Sequence, residues 1–424
     1  MTLTYFDYAA SAPLKPCARE ALVSTLNLVG NPSSPHTAGR HLRAIVDGAR
    51  QDIMQALGGK QLVFTSGGTE ANALALTGLG DIPVLVSAIE HASVLNATAH
   101  SSLIPVTEEG LVNLDHLRDA LATAETPGLL SVMLVSNEVG VIQPLHEIVA
   151  LARRYGWKVH TDATQALGHI PLSFEALGVD MMTISSHKCG GPVGIGALIL
   201  NENIHLLPLI RGGGQEFGMR SGTLSAPLAL GFAAAIRDGV REQPALGARL
   251  LAFQQKIETA LPKARVFGTH APRTSNIIGL AMPGVPADLQ LMAFDLKGIA
   301  VSAGAACSSG KMKESHVLAA IYSQHFEEPG RRPSGEPDER GDLRDQGRIP
   351  MASLPPRKRG TPDPRLRGDK TRKARSIGIP PEDARCAIRV SMGWNTQAED
   401  VDLFIQAWHD IFNKQTVNPL KEAS

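Results

Sequence analysis

Apolar residues along the first half of the chain follow two alternating rhythms. Leu42, Ile45, Val46, Ala49, Ile53 and Leu57 fall at helical spacing, and Gly58-Gly59 follows as a stop signal. Short β-rich runs come next at Leu62–Thr65, Val84–Ser87, Leu129–Val135, Lys158–Thr161 and Met181–Ser185. Helical stretches near 69–79, 113–122 and 144–155 lie between several of them. Strands joined by crossover helices predict an α/β fold whose mostly parallel sheet is covered on both faces, with ligands at the carboxyl ends of the strands. After a helical stretch from about Ser225 to Leu261 the rhythm becomes strand, strand, helix, strand, helix, which predicts a smaller α+β domain. Ala387–Met392 and a last helix from Gln397 rejoin that domain. The expected division is a large domain over 14–255 and a small one built from 1–13, 256–321 and 378–424.

One segment breaks the pattern. From about Tyr322 to Ile377 the chain is dense in Arg, Pro, Gly and Asp, with almost no apolar periodicity. Such a stretch buries too little apolar surface to offset its ordering entropy, so 322–377 is expected to be disordered. Joining Ala320-Ile321 directly to Gly378-Ile379-Pro380-Pro381 restores an apolar helix end, a C′ glycine and prolines. The segment therefore reads as an insertion into a helix–turn. Its basic cluster Arg357-Lys358-Arg359 is interspersed with acidic residues and has no aromatic platform, as in a solvated linker rather than a nucleic-acid site.

Composition narrows the class. Of 424 residues, 43% are hydrophobic and 19% charged, the balance of a soluble globular enzyme. Lys+Arg and Asp+Glu stand at 41 each, so no global field draws the protein to nucleic acid or an anionic membrane. Met1 to Pro13 lacks the basic and apolar regions of a secretion signal, and no run of about 18 apolar residues occurs, so a cytoplasmic location is expected. Cys17, Cys189, Cys307 and Cys386 are spaced for neither a zinc site nor a disulfide framework, and no metal is expected.

Three segments carry candidate chemistry. In Ile184-Ser-Ser-His-Lys-Cys-Gly-Gly-Pro192 a strand ends in small polar residues, a histidine and Lys188. A lysine against a low-polarity core is held near-neutral and serves as a Schiff-base nucleophile; the alternative is a surface lysine. Strand 62–65 runs into Ser66-Gly-Gly-Thr-Glu70 and a helix, a turn that suits one phosphate at a helix N-terminus or plain capping by Thr69. His160-Thr-Asp-Ala-Thr-Gln165 ends another strand with Asp162, either a partner for a protonated pyridine nitrogen or a turn residue.

Taken together, Gly67-Gly68-Thr69-Glu70, Glu90-His91, Asn137-Glu138-Val139-Gly140, Asp162-Ala-Thr-Gln165, Ser185-Ser-His-Lys188 and Arg220-Ser-Gly-Thr223 resemble the NifS-like cysteine desulfurases. These are fold-type I pyridoxal-phosphate enzymes of the class V aminotransferase group, with a seven-stranded sheet in the large domain. The similarity runs from Asp7-Tyr8-Ala9-Ala10 to the last helix, with 322–377 unmatched. The resemblance implies that Lys188 holds the coenzyme as a Schiff base and Asp162 pairs with its ring nitrogen. His91 would stack on the ring and move protons, and Asn137 and Gln165 would bond near the phenolic oxygen. Gly68, Thr69, Ser185 and His187 would bind the phosphate. Thr223 would reach the phosphate of a neighbouring subunit, which implies a homodimer. Arg389 would take the substrate carboxylate; its alternative is a surface ion pair.

Cys307 sits in Ser302-Ala-Gly-Ala-Ala-Cys-Ser-Ser-Gly310, small residues that anchor little. The resemblance implies that Cys307 attacks the sulfur of L-cysteine, releases alanine and carries a persulfide to an acceptor protein, an Fe–S scaffold or a sulfur carrier. Cys189, in an expected strained turn, and Cys17 and Cys386 read as packing. Phe217 stands where the family often has Arg, a change expected at the cofactor rim or a dimer contact. The rival readings are a selenocysteine lyase or aminotransferase of the same group, and a coenzyme-binding protein inactivated by the insertion.

Overall fold

The computed structural model describes residues 3–304, 315–322 and 381–417. The chain runs β1 (Thr4–Tyr5), α1 (Pro16–Thr25), α2 (Thr37–Leu57), β2 (Gln61–Thr65), α3 (Gly68–Thr77), β3 (Val84–Ser87), α4 (Ala92–Leu95), β4 (Ser101–Ile104), α5 (Leu114–Thr123), β5 (Leu129–Ser131), α6 (Leu145–Arg154) and β6 (Lys158–Asp162). It continues through α7 (Phe174–Leu177), β7 (Met181–Ser185), β8 (Gly196–Leu200), α8 (Ala226–Ala260), β9 (Arg265–Val266), β10 (Ile277–Ala281), α9 (Ala287–Asp295), β11 (Ile299–Ala300), α10 (His316–Tyr322), α11 (Pro381–Arg385), β12 (Ala387–Ser391) and α12 (Ala398–Val417).

The helix read from Leu42 to Leu57 is α2. Its Leu42, Val46, Ala49, Ile53 and Leu57 are buried, and the His36 ring caps it by accepting from the Gly39 N–H at 3.2 Å. Gly58 ends it at φ +87°, where a Cβ would overlap the Glu175 carboxylate, so only glycine fits. Seven strands form the main sheet in the order β2-β8-β7-β6-β5-β3-β4. β8 runs antiparallel to both its neighbours and the other pairs are parallel. The predicted mostly parallel, seven-stranded α/β sheet is the one observed. Strands β4 and β8 and helix α1 complete the set; the apolar spacing of those segments did not single them out. The strand expected over Leu129–Val135 stops at Ser131, although Val132 N and Leu134 N still bond to the β6 carbonyls of His160 and Asp162 at 3.1 and 3.0 Å. The Thr161 hydroxyl takes the Val132 carbonyl at 2.7 Å and interrupts the ladder.

A second core gathers Phe6, Leu250, Ile257, Ile278, Phe294, Val390, Phe404 and Trp408 around the three-stranded sheet β12-β10-β9. Along α8, Phe232 and Ile236 enter the first core and Leu246, Leu250 and Ile257 the second. Tyr322, the first residue of the segment expected to be disordered, instead closes α10, edge-on to Phe267 at 6.1 Å. Its ring has apolar and cationic neighbours in Phe267 and Arg265, which the composition of the following residues did not reveal. The rest of the segment lies outside the described residues, as does Cys307.

A buried ion pair ties the first core to the turn before α8. Glu216 accepts from Arg50 at 2.7 and 2.9 Å and from the Phe64 N–H at 2.5 Å. Phe217, at φ +60° and 61% exposed, lies over the Arg50 guanidinium at 5.1 Å. It therefore shields this pair and does not line the cavity described below. Removing one partner strands a buried charge, so Glu216→Ala is expected to lower unfolding stability by about 3–5 kcal/mol, measured by urea denaturation.

Candidate active site

The carboxyl ends of β2, β5, β6 and β7 open onto a cavity of about 250 Å³. Gly68, Thr69, His91, Asn137, Asp162, Gln165, Ser185, His187 and Lys188 all line it, so the structure brings nine of the sequence candidates together. Each stands where a strand ends and its neighbours diverge, leaving a crevice that no side chain fills.

Lys188 follows β7 in a short 3-10 turn and points back across the crevice, its Nζ donating to the Ala9 carbonyl at 2.5 Å. Burial, reinforced by the Arg389 charge and opposed by Asp162 and Asp7, pushes its pKa down to about 8. The amine is thus far closer to neutral than a surface lysine. Asp162, on the other side, accepts from Asn72 Nδ2 at 2.8 Å and from the Thr164 N–H at 2.9 Å.

His91 sits at the mouth, its Nδ1 accepting from the Ser93 N–H at 3.1 Å, which leaves Nε2 to carry the ring proton in the neutral tautomer. Desolvation lowers its pKa, Asp162 works against this, and Lys188, His316 and Arg389 add to it. His187 is pushed down to about 4 by burial and then by Lys188, and its Nδ1 lies 3.3 Å from the Ser11 hydroxyl. Gln165 donates from Nε2 to the Ala9 carbonyl at 2.9 Å, whereas Asn137 Oδ1 is buried without a partner.

The cavity fits a phosphorylated pyridine. The Ser185 and Thr164 hydroxyls are buried with no hydrogen-bond partner, and both lie beside Gly68, the first residue of α3. Orphaned donors around a helix N-terminus are what an anion requires, since unsatisfied buried hydroxyls are otherwise costly. Asp162 faces the same space with a negative charge suited to a protonated ring nitrogen. The residues present fit pyridoxal phosphate.

Two expected residues lie elsewhere. Thr223 is exposed and does not line the cavity. Arg389, in β12, is 7% exposed and lines the adjoining hollow of about 410 Å³ with Glu138, Ala303, Gly304 and Ser315. Its Nη2 pairs with Asp7 at 2.8 Å and its Nη1 donates to the Asn137 carbonyl at 3.0 Å, while Nε is unpartnered. The ion pair is buried rather than superficial, and Nε remains as a free donor.

Asn72, Thr164, the Ala9 carbonyl and Asp7 were missed in the sequence. Asn72 is four residues after Gly68 on one helix face, a spacing that could have found it. The roles of Ala9 and Asp7 arise only because the first residues cross to the strand ends. Cys189 is buried, with its thiol pushed up to about 12 by desolvation. Its backbone, at φ −100° and ψ 12°, is unstrained, because Gly190 at φ +84° absorbs the turn. Cys386 is also buried, and Cys17 is partly buried with Sγ 3.8 Å from the Ala234 carbonyl.

The family model of class-V aminotransferases matches residues 4–323. The cysteine desulfurase IscS of Dictyoglomus turgidum is 36% identical over 337 residues, covering 75% of this chain and 85% of that protein. The IscS-like cysteine desulfurase of Mycobacterium tuberculosis is 36% identical over 346 residues, covering 75% and 87%. Among solved structures, a NifS-like protein from Rickettsia africae superposes with a TM-score of 0.79 at 29% identity, covering 97% of this chain and all of that one. On its sheet, its crevice and these similarities, the chain belongs to the class-V aminotransferases, a pyridoxal-phosphate family, and within them to the cysteine desulfurases.

Proposed function

We propose that this chain removes sulfur from L-cysteine, releasing L-alanine and leaving a persulfide on Cys307. The observation that carries the reading is the buried, near-neutral Lys188 sharing one crevice with Asp162 and two orphaned hydroxyls. SspA, a structural neighbour at 25% identity and a TM-score of 0.69, was solved in complex with cysteine, which supports an amino acid of this size as the ligand.

Lys188 and Asp162 would hold pyridoxal phosphate at its two ends, with Gly68, Thr69, Ser185 and His187 on the phosphate and Asn137 and Gln165 near the phenolic oxygen. When bound, the coenzyme supplies a ring that takes up the electron pair of a broken Cα–H bond. Asp162 keeps a proton on the ring nitrogen by its negative charge. Lys188 Nζ takes the Cα proton, which its depressed pKa permits near neutrality. Arg389 binds the substrate carboxylate through the donor that Asp7 and Asn137 leave free. Cys307 bonds to the substrate Sγ as the Cβ–Sγ bond breaks, the pair left on Cβ is protonated, and Lys188 returns the proton to Cα to give alanine. His91 at the mouth moves the proton on sulfur. Thr223, exposed on one subunit, would complete the phosphate site of a partner in a homodimer.

The large domain, 14–255, would carry the coenzyme, and the small one, 1–13, 256–321 and 378–424, the substrate arginine. No helix among the described residues is long and apolar enough to cross a membrane. The cytoplasm is the proposed site of action, and an Fe–S scaffold or sulfur-carrier protein the proposed acceptor.

The test is incubation with L-cysteine. Alanine should appear, with about 32 Da, one sulfur, added to the peptide holding Cys307. A yellow, coenzyme-loaded protein that yields no alanine would refute the proposal.

A further inference from the structure

Glu138 is 4% exposed and sits beside Asn137 midway along the connection from β5 to α6. The Ser315 hydroxyl donates to Glu138 Oε2 at 2.5 Å. Gly304 lies against the same oxygen: a Cβ there would come within 1.9 Å of Oε2 and 2.5 Å of Cδ. Gly304 and Ser315 are the two residues that bracket 305–314, and Cys307 is in that bracket. Both ends of the stretch therefore converge on one buried carboxylate.

Neighbouring contacts strengthen the convergence. Before Gly304, Ser302 exchanges backbone hydrogen bonds with Arg389, at 3.2 and 2.6 Å. After Ser315, the His316 ring lies 2.9 Å through Nε2 from the carbonyl of Glu90, the residue before His91. The Ser315 hydroxyl also accepts from the Leu318 N–H at 3.0 Å, capping the start of α10 while it donates to Glu138. The Glu138 backbone packs against β10, where a Cβ on Gly279 would come within 2.9 Å of the Glu138 carbonyl oxygen. The ends are thus tied to three segments, each adjacent to or containing a candidate site residue: Arg389, Asn137 and His91.

We infer that Glu138 is a positioning residue: its carboxylate clasps Gly304 and Ser315 and so sets where the stretch bearing Cys307 starts and stops relative to Lys188. The clasp rests on the desulfurase reading above, since only a thiol that must travel to a bound amino acid needs fixed ends. Fixing both ends fixes the span between them relative to the crevice. The glycine at 304 follows from the same contact, since any side chain there displaces the carboxylate.

The test uses the coenzyme-loaded, full-length protein. In Glu138→Ala, the absorbance change on adding L-cysteine, which needs Lys188 but not Cys307, should keep its wild-type rate and amplitude. Persulfide formation on Cys307 should fall about tenfold, the scale of one buried hydrogen bond to a charged group. Glu138→Gln, which keeps an acceptor oxygen for Ser315, should recover part of the loss. Gly304→Ala should impair persulfide formation in the wild-type background and add nothing to Glu138→Ala, because the overlap it creates is then gone. Should Glu138→Ala not fold, Ser315→Ala carries the same comparison with the removal of one hydroxyl. Wild-type protein that forms no alanine sinks the desulfurase reading itself. Wild-type protein that does, alongside a Glu138→Ala variant forming persulfide at the wild-type rate or losing the cysteine-induced absorbance change equally, overturns the clasp alone.

Discussion

Replacing Lys188 with alanine is expected to reduce alanine release from L-cysteine to background. The residue is asked to do two things, to bond the coenzyme and to take the Cα proton, and alanine can do neither. Loss of the proton acceptor alone costs on the order of 10²–10⁴-fold. The variant should also lose the visible absorbance of the lysine-bound coenzyme. A pH series on the coenzyme-free wild type gives the complementary result. Bond formation needs the neutral amine, and burial puts the Lys188 pKa at about 8 rather than 10.5. The rate of coenzyme uptake should therefore climb as pH rises towards about 8 and level off above it, because the protonated amine dominates below and the neutral amine above. An ordinary exposed lysine would still be climbing beyond pH 10. A rate that keeps rising to that point would show that Lys188 is not held near-neutral.

Replacing Cys307 with alanine is expected to separate the two halves of the reaction. The cysteine-induced absorbance change, which depends on Lys188 and Asp162, should survive, while alanine and persulfide should fall to background. No other described thiol can substitute. Cys189 is buried with a pKa pushed up to about 12, so it is not a thiolate at working pH, and Cys386 is buried. Cys17, partly buried, has its pKa raised by burial first and by Asp238 second. Only thiolates attack sulfur at useful rates. A Cys307→Ala variant with wild-type alanine release would instead mark a lyase of the same family that needs no enzyme thiol.

The sequence by itself determined the frame. Continuous β-rich runs located β2, β3, β6 and β7, because a sheet covered on both faces buries both sides of its strands, and helical spacing located α2 and α8. The chemical motifs were legible for a related reason: Asp162 and Ser185 close β6 and β7, Thr69 and Lys188 lie in the turns that follow β2 and β7, and in a mostly parallel sheet the strand ends are where ligands gather. Only the tertiary structure decided which groups are neutral, paired or orphaned. The near-neutral Lys188, the Arg389–Asp7 pair and the Glu138–Ser315 contact join residues between 177 and 382 positions apart, or depend on burial that such contacts create. Desolvation and pair distance are properties of three-dimensional neighbours, and no local spacing encodes them.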